Sequence, residues 1–233
     1  MPRKKIVFVI VEGPSDDEAL GVILNRIYDR NTVHVHIMHS DITSETGVNP
    51  SNIVARIGDL VKSYAKNNSF RKTDFCRIIQ ITDTDGAFVP DENITEDLSY
   101  KKAFYSTNEI RTCNKAGIED RNRRKAENLN RLVATSAIWS IPYSIYYMSC
   151  NLDHAMYGKL NCTDIEKEQE ALYFAKRFKD DIPEFLRFIS ESDFSVADDY
   201  SGSWKFIRIG LHSLERHTNF GLCFQKSKSS DDG

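Results

Sequence analysis

The most constraining feature of the sequence is an uninterrupted apolar run, Ile6 to Val11, that stops at Glu12 and Gly13. Consecutive apolar residues, most of them β-branched, predict a strand that is covered on both faces, as in the centre of a parallel sheet. A helix is predicted directly behind it, because Ser15 and Glu18 have the spacing of a capping box and apolar residues then recur along one helical face. This segment is therefore a buried strand that delivers a carboxylate to a tight turn.

Two more strand–helix signals follow in the first ninety residues. Residues 32–39, TVHVHIMH, alternate apolar and polar side chains, which predicts a half-exposed strand near a sheet edge. Asn49 and Pro50 have the residue types expected at a helix start, and apolar residues then recur at helical spacing. A third strand is predicted over 75–82, FCRIIQIT, and it ends at DTDG. This β-α-β-α-β order predicts an α/β fold with a mostly parallel sheet flanked by helices.

The pattern is looser beyond these units. Residues 86–106 are polar and irregular, and residues 107–136 are polar and helix-prone. A further strand is predicted over 141–149, and capping residues at Thr163 and Asp181 begin two helices. We therefore expect an α/β domain over 1–155 with an irregular and helical insertion over about 86–136, a helical C-terminal extension over 156–224 packed on it, and a disordered tail over 225–233.

Composition and charge narrow the classes of partner and compartment. At a net charge of −3 the chain has no general attraction for polyanions, so a nucleic-acid site needs a local basic patch. Five scattered cysteines without a CxxC pair indicate neither a disulfide framework nor a zinc knuckle. Because no segment predicts a signal peptide or a membrane span, we expect a cytoplasmic protein without a membrane partner.

The best candidate for a basic patch is RNRRK at 121–125. Its cationic side chains, Arg121, Arg123, Arg124 and Lys125, would contact backbone phosphates of a nucleic acid. A solvated face of a polar helix is the alternative interpretation of the same cluster.

Three acidic residues stand where predicted strands end. Glu12 follows the first strand, and Asp83 and Asp85 follow the third. If those strands are neighbours in a parallel sheet, the three carboxylates converge at its carboxyl edge, where open α/β sheets place their ligand sites. Converging carboxylates repel one another unless they are protonated or share a cation, and oxygen ligands favour Mg²⁺, with Mn²⁺ as an alternative. The pattern predicts a divalent-metal site; an ordinary acidic turn is the structural alternative.

Two motifs carry a family resemblance: VEGPSDDEAL at 11–20 and IIQITDTDG at 78–86. Together they resemble the Toprim domain, a Rossmann-like fold found in topoisomerases, bacterial primases, recombination mediators and OLD-type nucleases. The resemblance implies that Glu12, Asp83 and Asp85 form a magnesium-dependent active site. It covers residues 4–90 well.

Further residues enter only through that resemblance. OLD-type nucleases carry an acid four residues after the glutamate, which here is Asp16. The segment at 146–158, YYMSCNLDHAMYG, is more loosely similar to small Toprim proteins of phage-defence systems, which implies Asp153 as another metal ligand. Lys205 would be the lysine with which OLD-type sites steady phosphate charge. Asp16 and Asp153 would then hold a second ion.

The implied function is metal-dependent hydrolysis of phosphodiester bonds in DNA or RNA, in phage defence, with a separate ATPase subunit or a second copy of the chain as protein partner. Two alternatives stay open. DTDG also resembles the motif of haloacid-dehalogenase-type phosphatases, with Asp83 as nucleophile, Asp85 as acid/base and Asp198 and Asp199 as the late acidic pair. A Toprim-like domain can also be a non-catalytic assembly partner of an ATPase.

Overall fold

The computed structural model describes residues 4–29 and 31–225. None of the helices in this part of the chain is long and apolar enough to cross a membrane. The strands are β1 (Lys5–Val11), β2 (Val33–His39), β3 (Phe75–Asp83), β4 (Ile94–Glu96), β5 (Phe104–Tyr105), β6 (Ile110–Thr112), β7 (Ala137–Ile138), β8 (Ile141–Ser149) and β9 (His217–Thr218). The α-helices are α1 (Pro14–Ile27), α2 (Ile53–Asn67), α3 (Lys115–Val133), α4 (Asp164–Phe178), α5 (Ile182–Glu191) and α6 (Tyr200–Phe206).

The main sheet has the strand order β2-β1-β3-β8-β7. Its four long strands are all parallel to their neighbours, while the short strands β7 and β9 pair antiparallel with opposite ends of β8. The predicted mostly parallel α/β sheet is therefore confirmed, and β2 lies at the sheet edge as its alternating pattern predicts. Because β1 and β3 are parallel neighbours, their carboxyl ends meet at the same edge of the sheet.

Helices cover both faces of the sheet. Odd-numbered side chains of β1 pack with α1, α4 and α5, and its even-numbered side chains pack with α2, α3 and α6. Every residue from Ile6 to Val11 is at most 1% exposed, which confirms a central strand covered on both sides. Burying an apolar side chain of this size stabilises the fold by about 1.5–3 kcal/mol, so β1 anchors both layers.

The first two helices do not begin where their sequences predict. Helix α1 begins at Pro14 instead of behind Ser15, and Asp16 lies at its third position, where its carboxylate accepts a hydrogen bond from the Gly13 N–H at 2.9 Å. Proline at the first helical position has the required φ and leaves no N–H unpaired. Helix α2 begins at Ile53 with Asn52 as its N-cap, so the predicted start at Asn49 is wrong by three residues.

The prediction of an irregular loop over 86–106 is wrong in part, because residues 94–96 and 104–105 are strands. This region and the residues behind it form a second, three-stranded sheet in the order β4-β6-β5. The strands are only two or three residues long, too short to show a periodic pattern. Their apolar side chains join Cys150 and Leu214 in a small separate core, and this brings the second sheet onto the turn that follows β3.

The C-terminal extension is helical but also completes the main sheet. Thr163 forms the predicted capping box with Glu166, and Asp181 caps α5 as predicted. Helix α4 packs on α1, whereas β9 adds two residues to the end of β8. The extension is thus continuous with the sheet. Of the predicted disordered tail, residues 226–233 lie outside the described residues.

A matched pair of glycine substitutions tests how tightly the second sheet packs on the DTDG turn. Gly86 and Gly47 both have positive φ, +70° and +84°. A Cβ at Gly86 would lie 2.8 Å from the Ile110 side chain and 3.1 Å from that of Leu214, whereas a Cβ at Gly47 meets nothing within 4 Å. We expect Gly47→Ala to lower the free energy of unfolding by about 1–2 kcal/mol, from backbone strain alone. Gly86→Ala should cost about 1–3 kcal/mol more because of the clash.

Urea denaturation of both variants measures the difference. Equal losses would mean that the second sheet yields easily and does not hold the turn.

Candidate functional site

Glu12 lies at the carboxyl end of β1 and faces the end of β3. Its Oε1 accepts hydrogen bonds from the Thr82 hydroxyl at 2.6 Å, the Asp83 N–H at 3.1 Å and the Thr43 hydroxyl at 3.4 Å. The side chain is 13% exposed. Parallel pairing of β1 with β3 places the Thr82 and Asp83 donors beside Glu12, and Thr43 comes from the segment after β2. The carboxylate therefore has a fixed orientation although its outer edge remains open to solvent.

Asp83 and Asp85 both reach this edge, by different backbone routes. Asp83 is the last residue of β3, and its Oδ1 accepts a hydrogen bond from the Leu152 N–H, beyond β8, at 3.0 Å. Asp85 has φ +49°, so the strand pattern does not continue through it. Thr84, between them, is buried and donates to the Ser213 carbonyl at 2.9 Å. The structure therefore brings the carboxylates of Glu12, Asp83 and Asp85 together.

A buried lysine from α3 lies among these carboxylates. Lys125 has no exposed surface, and its ammonium is 3.1 Å and 3.4 Å from the two Glu12 carboxylate oxygens. The same ammonium contacts the Asp85 carboxylate. The prediction that RNRRK is one exposed basic face is wrong at this position. Lys125 falls at helical spacing with the buried Leu129 and Leu132, and this periodicity was the sequence signal that could have located it.

The three arginines of the same cluster divide between the interior and the surface. Arg121 is half-buried and donates to the Asp85 carbonyl at 2.8 Å and to the Tyr105 hydroxyl at 2.7 Å. Arg123 and Arg124 instead pair with Asp120 on the outer face of α3. Of the three arginines, Arg123 and Arg124 belong to a solvated helix face. Arg121 instead links the DTDG turn to β5 through its two hydrogen bonds.

Asp16 and Asp153 extend the acidic cluster on the side away from Lys125. Asp16 is 9% exposed and Asp153 is 4% exposed. The two side chains are close enough together that the negative charge of Asp153 raises the pKa of Asp16. Lys167, from α4, lies with its ammonium 3.6 Å from Asp153 Oδ2 and is 38% exposed. This lysine was not singled out from the sequence, because a lysine on a polar helix has no distinguishing pattern.

Two predicted residue sets do not join the cluster. Lys205 is exposed on α6, and within residues 4–29 and 31–225 no hydrogen bond or ion pair links it to the carboxylates. Asp199 caps α6 by accepting from the Gly202 N–H at 2.7 Å, and Asp198 is exposed beside it. The lysines that lie beside the carboxylates are Lys125 and Lys167 rather than Lys205.

Burial raises the pKa of four of the five carboxyl groups, those of Glu12, Asp16, Asp83 and Asp153, and repulsion from neighbouring carboxylates adds to the rise. The pKa of Glu12 rises to about 7, chiefly by burial, with Lys125 opposing the rise. Burial raises the pKa of Asp16 to about 6, and burial together with the charges of Glu12 and Asp16 raises the pKa of Asp83 well above its usual value. Burial also acts on Asp85, but Lys125 and Arg121 outweigh it and hold its pKa below the usual value. Negative charge is therefore under-compensated around Asp83.

The donor chemistry of this cluster fits a hard divalent cation. Its five acidic residues offer carboxylate oxygens and no sulfur or imidazole, the ligand set that Mg²⁺ and Mn²⁺ prefer. Within residues 4–29 and 31–225, no group of three or more Asp, Glu, His or Cys side chains is placed so that it could hold a metal ion without rearrangement. Glu12 and Asp85 share the single charge of Lys125, and Asp153 has Lys167 at 3.6 Å, so among the described residues Asp16 and Asp83 are the carboxylates of the cluster without an ion-pair partner.

Removal of the buried ammonium is expected to destabilise the protein strongly. In Lys125→Met, the Glu12 and Asp85 carboxylates lose their counter-charge, and breaking such a buried pair costs about 3–5 kcal/mol. Lys62→Met is the control, because Lys62 is 48% exposed and pairs only with the surface residue Asp59; it should cost at most about 1 kcal/mol. Urea denaturation at neutral pH gives both values. A loss at Lys125 no larger than at Lys62 would contradict the role of the ammonium.

The raised pKa values also predict how stability depends on pH in the presence of a chelator. Glu12 and Asp16 have ordinary pKa values of 4.5 and 3.8, so between these and about 7 and 6 the folded protein holds more protons than the unfolded chain. Stability is therefore present at low pH and lost as pH rises through the folded pKa values. We expect the melting temperature to fall as the pH rises from about 4.5 to about 7.

Asp16→Asn should weaken this dependence, because the amide oxygen can still accept from the Gly13 N–H but does not titrate. A melting temperature that stays constant or rises over the same range would contradict the assignment.

Comparisons of the chain with protein-family models, with curated proteins and with solved structures return no match.

Proposed function

We propose that the protein is a metal-dependent nuclease that hydrolyses phosphodiester bonds. The observation that carries this proposal is the convergence of Glu12, Asp83 and Asp85 at the carboxyl edge of a parallel sheet, with Asp16 and Asp153 beside them. Placing so many carboxylates together in a partly buried site lowers the stability of the fold, so stability does not account for the arrangement. Such an arrangement has a clear use in holding a cation against a phosphate. The Toprim likeness of the two motifs and a role in phage defence stay predictions.

Glu12, Asp16 and Asp83 would hold the divalent ion, with Asp153 at its margin. Asp83 is central, because the charges of Glu12 and Asp16 are the largest electrostatic causes of its raised pKa. Asp85 would stay with Lys125, so that a protein ammonium supplies one positive charge of the site. When bound, Mg²⁺ would polarise the phosphoryl group and lower the pKa of a bound water.

The chain's own residues would orient the site and balance its charge. Thr82 and the Asp83 N–H fix the Glu12 carboxylate, and the Leu152 N–H fixes that of Asp83. Lys125 keeps Asp85 ionised at neutral pH and opposes the burial that raises the pKa of Glu12. Lys167 is the most exposed cation at the cluster, and its ammonium can steady the non-bridging oxygens of a phosphodiester.

The same geometry favours a nuclease over a haloacid-dehalogenase-type phosphatase. That alternative leaves Glu12 without a role and needs a late acidic pair near Asp83. Asp198 and Asp199 instead lie at the start of α6, where Asp199 is engaged as the helix cap.

Removal of the central carboxylate tests the proposal. We expect the protein with Mg²⁺ or Mn²⁺ to cut a mixed set of DNA and RNA strands, and Asp83→Ala to lower the rate by at least about 100-fold, because even supporting residues of metal sites give 10–100-fold losses. Asp59→Ala removes an exposed acid on α2 and should cut at the wild-type rate.

Binding of Mn²⁺ measured by calorimetry gives a second readout, and Asp83→Ala should lose it. If wild type and Asp83→Ala cut equally, the activity is a contaminant and the proposal fails.

An assembly module is a second candidate function, and one observation favours it. Helix α4 exposes three large apolar side chains, Ile165 at 68%, Leu172 at 52% and Tyr173 at 67%. An exposed apolar face of this kind is typical of a protein-interaction surface. Metal binding without any cleavage in the preceding experiment would favour this candidate, with an ATPase subunit or a second copy of the chain as its partner.

A further inference from the structure

A cleft of about 620 Å³ opens directly beside the acidic cluster. One wall is the segment 99–105, which includes β5, and the other is formed by Asn151, residues 161–164 and Lys167. Asn161 joins the walls, because its side chain accepts from the Tyr105 N–H and donates to the Tyr105 carbonyl, both at 2.8 Å. Two hydrogen bonds from one side chain to the Tyr105 backbone thus fix the walls of the cleft. Its volume lies in the range of about 300–1,000 Å³ that is usual for ligand sites.

Two contacts connect this cleft to the carboxylates. Lys167 lines the cleft and lies 3.6 Å from Asp153. At the other side, Tyr105 lines it and accepts from Arg121, which also donates to the Asp85 carbonyl. A chain that occupied the cleft would therefore extend to the acidic edge of the sheet.

The charges that line the cleft suit a polyanion. Lys101, Lys102 and Lys167 line it against one acidic residue, Asp164. Lys101 and Lys102 are exposed, and within the described residues neither ammonium has a carboxylate partner. Unpaired lysines beside an acidic cluster give a track of positive charge that leads to the proposed metal site.

Aromatic rings occupy the same wall as these lysines. Phe104 is 39% exposed, which is unusual for a large apolar side chain, and its ring centroid lies 4.8 Å from that of Tyr100. Both rings line the cleft. Lysines interleaved with exposed aromatic rings are the arrangement with which proteins hold single strands, because bases stack on the rings while the backbone follows the positive charge. A duplex keeps its bases stacked inside and cannot use such rings.

We propose that this cleft binds single-stranded nucleic acid and delivers its backbone to the carboxylates. The inference rests on the proposed nuclease function and names the substrate class of the same site. Lys101 and Lys102 contact phosphates, Phe104 and Tyr100 stack on a base, and Lys167 stands where the strand meets the acidic cluster. Base stacking does not distinguish DNA from RNA, so the test uses both single-stranded DNA and single-stranded RNA.

Fluorescence anisotropy tests the proposal. The labelled ligands are single-stranded DNA, single-stranded RNA and a duplex of the same sequence, and EDTA is present so that the strands are bound without cleavage. Both single strands, or one of them, should bind at least about 10-fold more tightly than the duplex, since stacking is available only to unpaired bases. In the double variant Lys101→Gln/Lys102→Gln, the slope of log affinity against log salt should fall by about 1.4, or about 0.7 for each lost phosphate contact.

Phe104→Ala should weaken binding of the single strand by about 5-fold to 150-fold and leave the salt slope unchanged. The matched controls are Lys62→Gln/Lys66→Gln, which removes the same charge from α2, and Tyr173→Ala, which removes an exposed ring from α4. Both controls should bind as wild type, and thermal melts establish that every variant is folded.

Equal binding of duplex and single strand, or wild-type binding by Phe104→Ala and the double lysine variant, would overturn the proposal. Cleavage assays separate this failure from failure of the nuclease proposal. Cleavage that is lost in Asp83→Ala but unchanged in the cleft variants rejects the cleft alone. Tight binding that depends on Lys101, Lys102 and Phe104, without metal-dependent cleavage, rejects the nuclease and retains the single-strand site.

Discussion

The ion pairs of one buried ammonium organise the carboxyl edge of the sheet. Lys125, fully enclosed on α3, contacts Glu12 from β1 and Asp85 from the turn after β3. Without it, the ends of two neighbouring strands would present like charges to each other in a place that water reaches poorly. The ammonium therefore connects three separate elements. It holds the pKa of Asp85 below its usual value and opposes the rise of the pKa of Glu12, whereas the pKa of Asp83 is raised well above its usual value.

This uneven balance gives the acidic cluster two unlike sides. One side is closed and neutralised by Lys125, and Arg121 holds the adjoining backbone. On the other side, the carboxylates of Asp16 and Asp83 each accept a hydrogen bond from a backbone N–H group. The half-exposed Lys167 and the open cleft lie beside them. A fold that needed these acids only for structure would gain from pairing all of them. This second side is where the proposed metal site and the proposed single-strand cleft meet.

The sequence was most informative where one physical requirement dominated. The run from Ile6 to Val11 has a single stable place, between two apolar layers, so the central strand and its terminal glutamate were predictable. The DTDG turn was predictable for the same reason. Lys125 was expected to contact phosphates, and its burial among the carboxylates was missed because charge suggests solvent, whereas its position on the helical period of Leu129 and Leu132 indicates the interior. Strands β4 to β6 were missed because tertiary contacts, rather than local pattern, make segments of two or three residues extended.

The distance along the chain between Glu12 and Lys125 has a consequence for synthesis. These partners are 113 residues apart, and β3 with its aspartates also precedes the lysine. On the ribosome, the acidic strand ends emerge well before their counter-charge, so a nascent chain that stops short of α3 holds a sheet edge of mutually repelling groups. Closure of this edge is a late, long-range event. A cation that shields the acids would lessen this repulsion until α3 supplies Lys125.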